Sequence, residues 1–345
     1  MYTSSVPCDI DAVVRSNTRL SDEYSVLTLD APEIAGLARP GQFVMVKPSR
    51  GTDPLLRRPF SIFEILRDGH GQPTGISILN KRVGAGTRLV YDAEPGGRVA
   101  CLGPLGRPFE PVDPPAQAWM VAGGVGLAPF VTLAEALAAR GTPTTLFYGA
   151  RRARDLYYTD VFEDLGVTIV PATEDGSLGA KGFITAPLND ALAAQGSGPT
   201  VKLYVCGPTP MMRAVATIAD FHGQPCDVSL EQVMGCGLGG CYSCVVLTRQ
   251  VGAPPHFVSS LFAELRKFPV SASPLNYRLT GGVAGAVMPS WEVADNVDLG
   301  YHLRHSALPR PGGERELGVL VSRLHSNPMD LSRPLWEYHL IEGLA

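Results

Sequence analysis

The stretch Met234-Gly-Cys-Gly-Leu-Gly-Gly-Cys-Tyr-Ser-Cys244 constrains this chain most, because it places Cys236, Cys241 and Cys244 within nine residues among four glycines. Thiolates at this spacing can turn their sulfurs onto one centre. Glycine lets backbone N–H groups approach inorganic sulfide and offset its charge. A zinc knuckle or ordinary buried thiols would use the same residue types, but Cys-x4-Cys-x2-Cys is the plant-type iron-sulfur run. Such a centre passes single electrons, so other parts of the chain are expected to supply and receive them.

A chain of 345 residues exceeds one ordinary core, and about two or three domains are expected. Hydrophobic residues at 45% and charged residues at 18%, with 38 glycines and 30 prolines, describe a globular, turn-rich chain. A net charge of -4 argues against a nucleic-acid partner. No run approaches the roughly eighteen apolar residues of a membrane span. The start, Met1 to Asp9, lacks the basic-then-apolar pattern of an export signal, so a cytoplasmic location is expected. Seven cysteines, three of them clustered, fit reduced thiols and a metal site better than a disulfide framework.

From Cys8 to about Leu102, short alternating or apolar runs are broken by turns: 9–14, 24–29, 42–46, 60–63 and 76–79. This spacing predicts an antiparallel barrel. Within it, Leu56-Arg-Arg-Pro-Phe-Ser-Ile62 sets Arg58 three residues before Ser61 at a strand start, where charge-assisted hydrogen bonds can hold a pyrophosphate. Phe60 is placed to lie against a flat ring. Lys81-Arg-Val-Gly-Ala-Gly-Thr87 puts Gly84, Gly86 and Thr87 at a predicted helix start, a phosphate-binding context. Alone, an Arg-Arg pair is usually a solvated face and Gly-x-Gly usually a turn; together, upstream of a nucleotide fold, they point to a nucleotide.

The proline-rich segment 104–115 reads as a connector. After it, an apolar run (118–122), a tight Gly123-Gly-Val-Gly126 loop and a helical run over 127–140 with Pro129 near its first turn give strand, glycine loop, helix. Such a loop sets a dinucleotide pyrophosphate on the helix N-terminus, although Gly-Gly-x-Gly departs from the full fingerprint. Further strands over 144–148, 167–170 and 201–205 alternate with helical stretches and predict a parallel sheet, whose ligands sit at strand C-terminal ends. Cys206-Gly-Pro208 lies at one such end, so Cys206 either faces a nicotinamide or is a small buried residue before a turn.

The ordered set Arg58-Pro-Phe-Ser61, Gly123-Gly-Val-Gly-Leu-Ala-Pro129, Cys206-Gly-Pro208 and Cys236/Cys241/Cys244 resembles the ferredoxin-reductase superfamily. More narrowly, residues 1 to about 248 resemble the electron-transfer subunit of the two-subunit dihydroorotate dehydrogenase. The resemblance implies that Arg58, Pro59, Phe60 and Ser61 contact FAD, with Gly84, Gly86 and Thr87 at its diphosphate. It implies NAD at Gly123, Gly124, Gly126, Pro129, Gly207 and Pro208, Cys206 as the catalytic candidate, and a 2Fe-2S cluster on the three cysteines. A catalytic dehydrogenase subunit is the implied partner, and pyrimidine biosynthesis the implied setting. Related subunits serve hydrogenases and other reductases. Arg151-Arg-Ala-Arg154 keeps NADP open beside NAD, although a solvated basic loop is the plainer reading.

A 2Fe-2S cluster takes four protein ligands, and the family supplies its fourth cysteine roughly a dozen or more residues after the third. Here no cysteine follows Cys244; Cys226, ten residues before Cys236, and His256, twelve after Cys244, are the candidate substitutes. The segment from about 255 onward, including Tyr301-His-Leu-Arg-His305 and Asn327-Pro-Met-Asp-Leu-Ser-Arg-Pro-Leu-Trp-Glu-Tyr-His339, resembles the N-terminal part of the wax ester synthase / diacylglycerol acyltransferase family. That family's His-His-x-x-x-Asp-Gly motif is not met, and His302, His305, His325 and His339 do not form it. Without that general base no acyl transfer is expected. The chain is therefore expected to be a fusion of two truncated frames, in which amphipathic runs over 257–268 and 317–324 pack poorly or promote association.

The expected architecture is multi-domain. It has an antiparallel β-barrel for FAD (1–105), an α/β parallel-sheet NAD domain (106–225), a small 2Fe-2S segment (226–250) and an incomplete α+β acyltransferase-like segment (251–345). The leading function is an electron-transfer flavoprotein oxidoreductase linking NAD(H), FAD and the cluster. An acyltransferase and a regulatory module with vestigial sites are the alternatives.

Overall fold

The computed structural model describes residues 6–49, 56–196, 198–230 and 234, then 277–280, 290–294, 297–326, 330, 333–334 and 337–343. The chain divides into two compact units, Met1–Cys244 and Val245–Ala345.

The first unit opens with β1 (Cys8–Arg19), β2 (Tyr24–Asp30), α1 (Pro32–Leu37), β3 (Phe43–Lys47), β4 (Arg58–Ser61), β5 (Glu64–Arg67), β6 (Pro73–Lys81), α2 (Ala85–Tyr91) and β7 (Arg98–Leu105). The strands form one antiparallel sheet in the order β4-β3-β7-β1-β2-β6-β5. Bulges at Val14/Ser16 and Phe43/Met45 add local twist. The exit from β4 carries the chain across: Ile62 N–H donates to the Gln42 carbonyl at 3.0 Å and Phe63 N–H to the Ser77 carbonyl at 2.9 Å. The sheet thereby curls into a half-closed barrel around Leu27, Leu29, Val44, Val46, Ile62, Ile76 and Ile78.

The five runs expected as strands all fall on strands, while β5 and β7 went unread. The connector expected over 104–115 begins inside β7, whose Gly103-Pro104 mimics a turn. Glycine stands there because a Cβ at Gly103 would lie 2.7 Å from the Val44 side chain on β3. Close strand approach, not a turn, selects that residue.

The second half of this unit carries β8 (Gln117–Gly123), a 3-10 turn Gly124–Phe130, α3 (Val131–Ala138), β9 (Thr144–Ala150), α4 (Thr159–Asp164), β10 (Thr168–Thr173), β11 (Ala180–Lys181), α5 (Thr185–Gln195), β12 (Val201–Cys206), α6 (Thr209–Phe221) and β13 (Cys226–Ser229). The six strands are parallel, in the order β11-β10-β9-β8-β12-β13. Both faces are covered, so β8 reads as a continuous apolar run. Ala118, Met120 and Ala122 face a core shared with α3 and with barrel residues Tyr24, Val26, Phe63 and Leu79. Trp119 and Val121 face the core under α5 and α6.

The helix expected over 127–140 starts later, at Val131. Gly124 turns at φ +55° and Pro129 lacks an N–H, so the preceding segment tightens into the 3-10 turn. Cys226, expected to open a separate cluster segment, instead pairs with Leu203 in the sixth strand of the sheet. From β8 the chain builds outward to β9, β10 and β11 on one side, then returns to β12 on the other. This makes the C-terminal end of β8 the topological switch point, with Cys206 paired against Ala122 there.

In the second unit, β14 (Tyr277–Thr280) pairs antiparallel with β15 (Ser290–Val293). β16 (Leu303–Ala307) pairs parallel with β17 (Tyr338–Glu342), and the helix Glu314–Ser326 lies between them in sequence as the crossover. His302 is buried; His305 lies 3.2 Å from Glu342 and His339 2.8 Å from Glu337. These histidines stand apart from one another in role, as packing and paired groups. No described helix is long and apolar enough to cross a membrane.

Gly126 tests the switch-point packing, because a Cβ there would collide with the Cys206 carbonyl, a backbone group with no room to rotate away. Gly126→Ala is expected to destabilise the first unit by about 1–3 kcal/mol, read as a lowered thermal midpoint. Gly69→Ala, which meets nothing within 4 Å, should leave the midpoint unchanged.

Candidate functional site

One cleft of about 1430 Å³ lies within the first unit, between the β4 and β6 face of the barrel and the C-terminal ends of the parallel sheet. A single small-ligand pocket is usually about 300–1,000 Å³. This one has room for two nucleotides.

The structure separates the two arginines that the sequence left as a pair. Arg57 meets the Asp9 carboxylate with both guanidinium nitrogens at 2.9 Å and ties β4 to β1. Arg58 lines the cleft. Its Nη1 donates to the carbonyls of Leu56 at 3.0 Å and Arg57 at 3.2 Å, which fixes the guanidinium on its own chain. A Cβ on Gly86 would lie 3.2 Å from Arg58 Nε, so the glycine leaves space for the arginine. The two candidate phosphate-binding motifs of the barrel thus lie against each other.

Thr87 and Ser61 line the cleft, as do Pro59 and Phe60. The Thr87 hydroxyl accepts from the N–H groups of Val83 at 2.9 Å and Gly84 at 3.0 Å. It holds the turn closed, and buried Asn80 reinforces it by donating to the Thr87 carbonyl at 3.0 Å. Gly84 and Gly86 shape this turn without lining the cleft.

On the opposite wall, Gly123, Gly124, Cys206 and Pro208 line the cleft. Gly126, Pro129 and Gly207 lie behind it, packing the glycine turn against the end of β12: a Cβ on Gly207 would come 3.0 Å from the Gly123 amide nitrogen. Cys206 is 2% exposed. It is at once the small buried residue and the cleft-facing one that the sequence offered as alternatives.

Sequence reasoning missed Tyr24, Lys81, Met211 and Phe183 on the cleft wall. Tyr24 was read only as strand; its burial raises the phenol above its ordinary range, with Lys81 acting the other way. Lys81 Nζ lies 5.2 Å from the centre of that ring. Phe183 is 72% exposed and lines the cleft wall.

Cys236, Cys241, Cys244 and His256 lie outside the described residues. Met234, two positions before Cys236, lines the same cleft. Cys226 packs on the core under α5 and α6, and burial pushes its thiol up to about 11. It is not a ready thiolate. Among the described residues no three His, Cys, Asp or Glu side chains come together to hold a metal.

Residues 120–217 match the family model of the oxidoreductase NAD-binding domain, and residues 241–345 match that of the wax ester synthase/diacylglycerol acyltransferase catalytic domain. The solved structure of an NADH-dependent reduced ferredoxin-NADP oxidoreductase, described for flavin-based electron bifurcation, superposes with a TM-score of 0.58 at 26% identity, covering 71% of this chain and 83% of that one. The ferredoxin reductase of carbazole 1,9a-dioxygenase shares the fold, with a TM-score of 0.55 at 22% identity over 66% of this chain and 70% of that one.

The electron transfer subunit of dihydroorotate dehydrogenase B (NAD(+)) from Desulforamulus reducens is 39% identical over 237 residues, 68% of this chain and 87% of that protein. Its counterpart from Geobacillus thermodenitrificans is also 39% identical, over 67% of this chain and 86% of that protein. Over that aligned length, the chain belongs to the family of electron transfer subunits of dihydroorotate dehydrogenase B.

Proposed function

We propose that the first unit binds FAD on its barrel wall and NADH on its sheet wall, and passes electrons between NAD(H) and a catalytic dehydrogenase subunit that oxidises dihydroorotate in pyrimidine biosynthesis. The observation that carries this reading is the single cleft faced by Arg58 with its Gly86 contact on one side and by the Gly123–Gly124 turn on the other. Bound there, a flavin supplies the conversion between a two-electron hydride and single electrons.

The residues present fit that group. Arg58, fixed by two backbone carbonyls, offers a pre-oriented cation to a diphosphate, and Ser61 adds a hydroxyl. The Thr87 hydroxyl takes the Val83 and Gly84 N–H groups and holds the α2 turn shut, which leaves the first-turn N–H groups of Ala85, Gly86 and Thr87 as the donors. Pro59 and Phe60 supply the apolar side of that wall.

On the sheet wall, Gly123 and Gly124 let backbone approach the dinucleotide pyrophosphate, with Gly126 and Pro129 setting the turn behind them. Cys206, Gly207 and Pro208 close the nicotinamide end at the switch point. Phe183 follows β11, three strands from β8 and so about 14 Å along the sheet edge at the usual strand spacing. Its exposed ring is our candidate stacking platform for the adenine end. Glu174 and Arg151 both face the cleft between these ends. A carboxylate there suits a ribose 2′-hydroxyl and an arginine a 2′-phosphate, so NAD is proposed from the NAD(+) relatives rather than from this pair.

Cys236, Cys241 and Cys244 would hold three positions of a 2Fe-2S cluster, but the centre takes four. Residues 245–345 contain no cysteine. The Cys226 side chain packs against the core under α5 and α6, so three cysteines are the donors this stretch supplies. A cytoplasmic location is part of the same reading.

Removing the Arg58 guanidinium loses a charge-assisted contact of about 1.5–3 kcal/mol. Arg58→Ala is expected to weaken FAD binding by roughly 10- to 100-fold in a fluorescence titration, and unchanged affinity would remove that role. Phe183→Ala is expected to raise the KM for NADH by about 3- to 10-fold with kcat retained, the size of one lost stacking contact; an unchanged KM contradicts the platform. Iron and acid-labile sulfide assayed on anaerobically purified protein are expected well below a full 2Fe-2S complement per chain. A full complement would show that a fourth ligand is recruited.

A further inference from the structure

Tyr158 is the only residue other than glycine with a left-handed backbone among the described residues, at φ 59°. A bulky L-residue is held in that conformation only where its surroundings impose it. Here the ring stands edge-on against Phe63, with centroids 4.8 Å apart and planes at 86°. The preceding ring, Tyr157, lies 5.1 Å from Tyr24. Its N–H points to the phenol oxygen of Tyr148 at 3.4 Å, and Tyr148 is itself fully buried in the sheet. Two successive rings of one loop between β9 and α4 therefore enter the barrel's side of the shared core.

Each end of this contact leads to one of the two walls of the cleft. Phe63 lies two residues after Ser61, anchored through its N–H to Ser77. Tyr24 lines the cleft, and a Cβ on Gly124 would sit 3.5 Å from its hydroxyl. On the sheet side, Arg151 and Asp155 of the same loop also line the cleft.

We propose that Tyr158 is a positioning residue for hydride transfer: its left-handed backbone drives the Tyr157 and Tyr158 rings into the barrel and sets the separation of the two nucleotide walls. The proposal rests on the reading of that cleft as a flavin and dinucleotide site. Neither ring needs to contact a nucleotide. Each nucleotide is held by its own wall, so binding survives loss of the clamp, whereas transfer depends on the walls' separation. A displacement of about 1 Å at reacting atoms costs on the order of 100-fold in rate.

Tyr158→Gly removes the ring and the backbone constraint together, and Tyr158→Phe keeps both. With the full chain loaded with FAD, stopped-flow reduction by saturating NADH is expected to slow by on the order of 10- to 100-fold in Tyr158→Gly. FAD content and half-saturating NADH should stay within about twofold, and Tyr158→Phe should match the unaltered chain. Phe63→Leu, which takes away the facing ring while keeping apolar bulk, should slow reduction similarly, and the double variant should be no slower than the worse single one.

Amide hydrogen exchange on the flavin-free protein gives a readout independent of turnover. β2 and β4 should exchange faster in Tyr158→Gly and Phe63→Leu, and unchanged in Tyr158→Phe. Undiminished reduction in Tyr158→Gly, additive losses in the double variant, or unchanged exchange would overturn the proposal. If Tyr158→Gly does not fold, Phe63→Leu and Tyr158→Phe decide it by the same readouts. If the unaltered chain's flavin is not reduced by NADH, the reading of the cleft fails, and the exchange comparison still decides the clamp.

Discussion

The first unit depends on one continuous apolar core between a curled antiparallel sheet and a parallel one. Tyr24, Val26, Phe63 and Leu79 of the barrel pack into the same cluster as Met120, Phe130, Leu133 and Tyr148 of the second half. A fully buried aromatic or aliphatic side chain contributes roughly 1.5–3 kcal/mol by leaving water. Several such residues on each side join the halves far more firmly than the exposed ion pairs between neighbouring strands. A cleft that opens over this core has two walls of fixed identity, one offering arginine and a capped helix turn, the other a glycine turn at a switch point. The chemistry proposed here follows from that opposition.

Glycine and cysteine at the switch point show the same logic at atomic scale. Gly126 and Gly207 are required by close backbone approach between the 3-10 turn and the end of β12, rather than by contact with a ligand. Gly123 lines the cleft yet is also packed, since a Cβ there would meet Met211 and Pro208 side chains at 2.7 and 2.8 Å, whereas Gly124 answers to its left-handed turn at φ +55°. The glycines of this motif thus answer to close packing and turn conformation around the cleft.

Much of this was legible in the sequence where the signal is local. Alternation marked five barrel strands, continuous apolar runs marked the buried parallel strands, and Arg58 and the Gly123 turn stood out by residue type at strand ends. What was not legible depends on distant partners. Nothing local tells Arg57 from Arg58; the difference is Asp9 on β1, three places from β4 in the sheet order. β7 hid behind Gly103-Pro104, whose glycine answers to Val44. Cys226 invited reading as a ligand beside the cysteine cluster, yet its side chain packs against the core under α5 and α6. Phe183 and Tyr24 gave no motif at all, and only exposure or burial at the cleft identifies them. The second unit matches another family's catalytic domain, and its described histidines are spent on burial and on carboxylate pairs.

The most direct measurement is an anaerobic titration of the purified full chain with NADH, following the yellow absorbance of bound flavin. The account predicts that the chain carries or takes up FAD and that its absorbance bleaches in proportion to added NADH. A chain that binds no flavin, or whose bound flavin keeps its absorbance at saturating NADH, would contradict a single cleft serving both nucleotides.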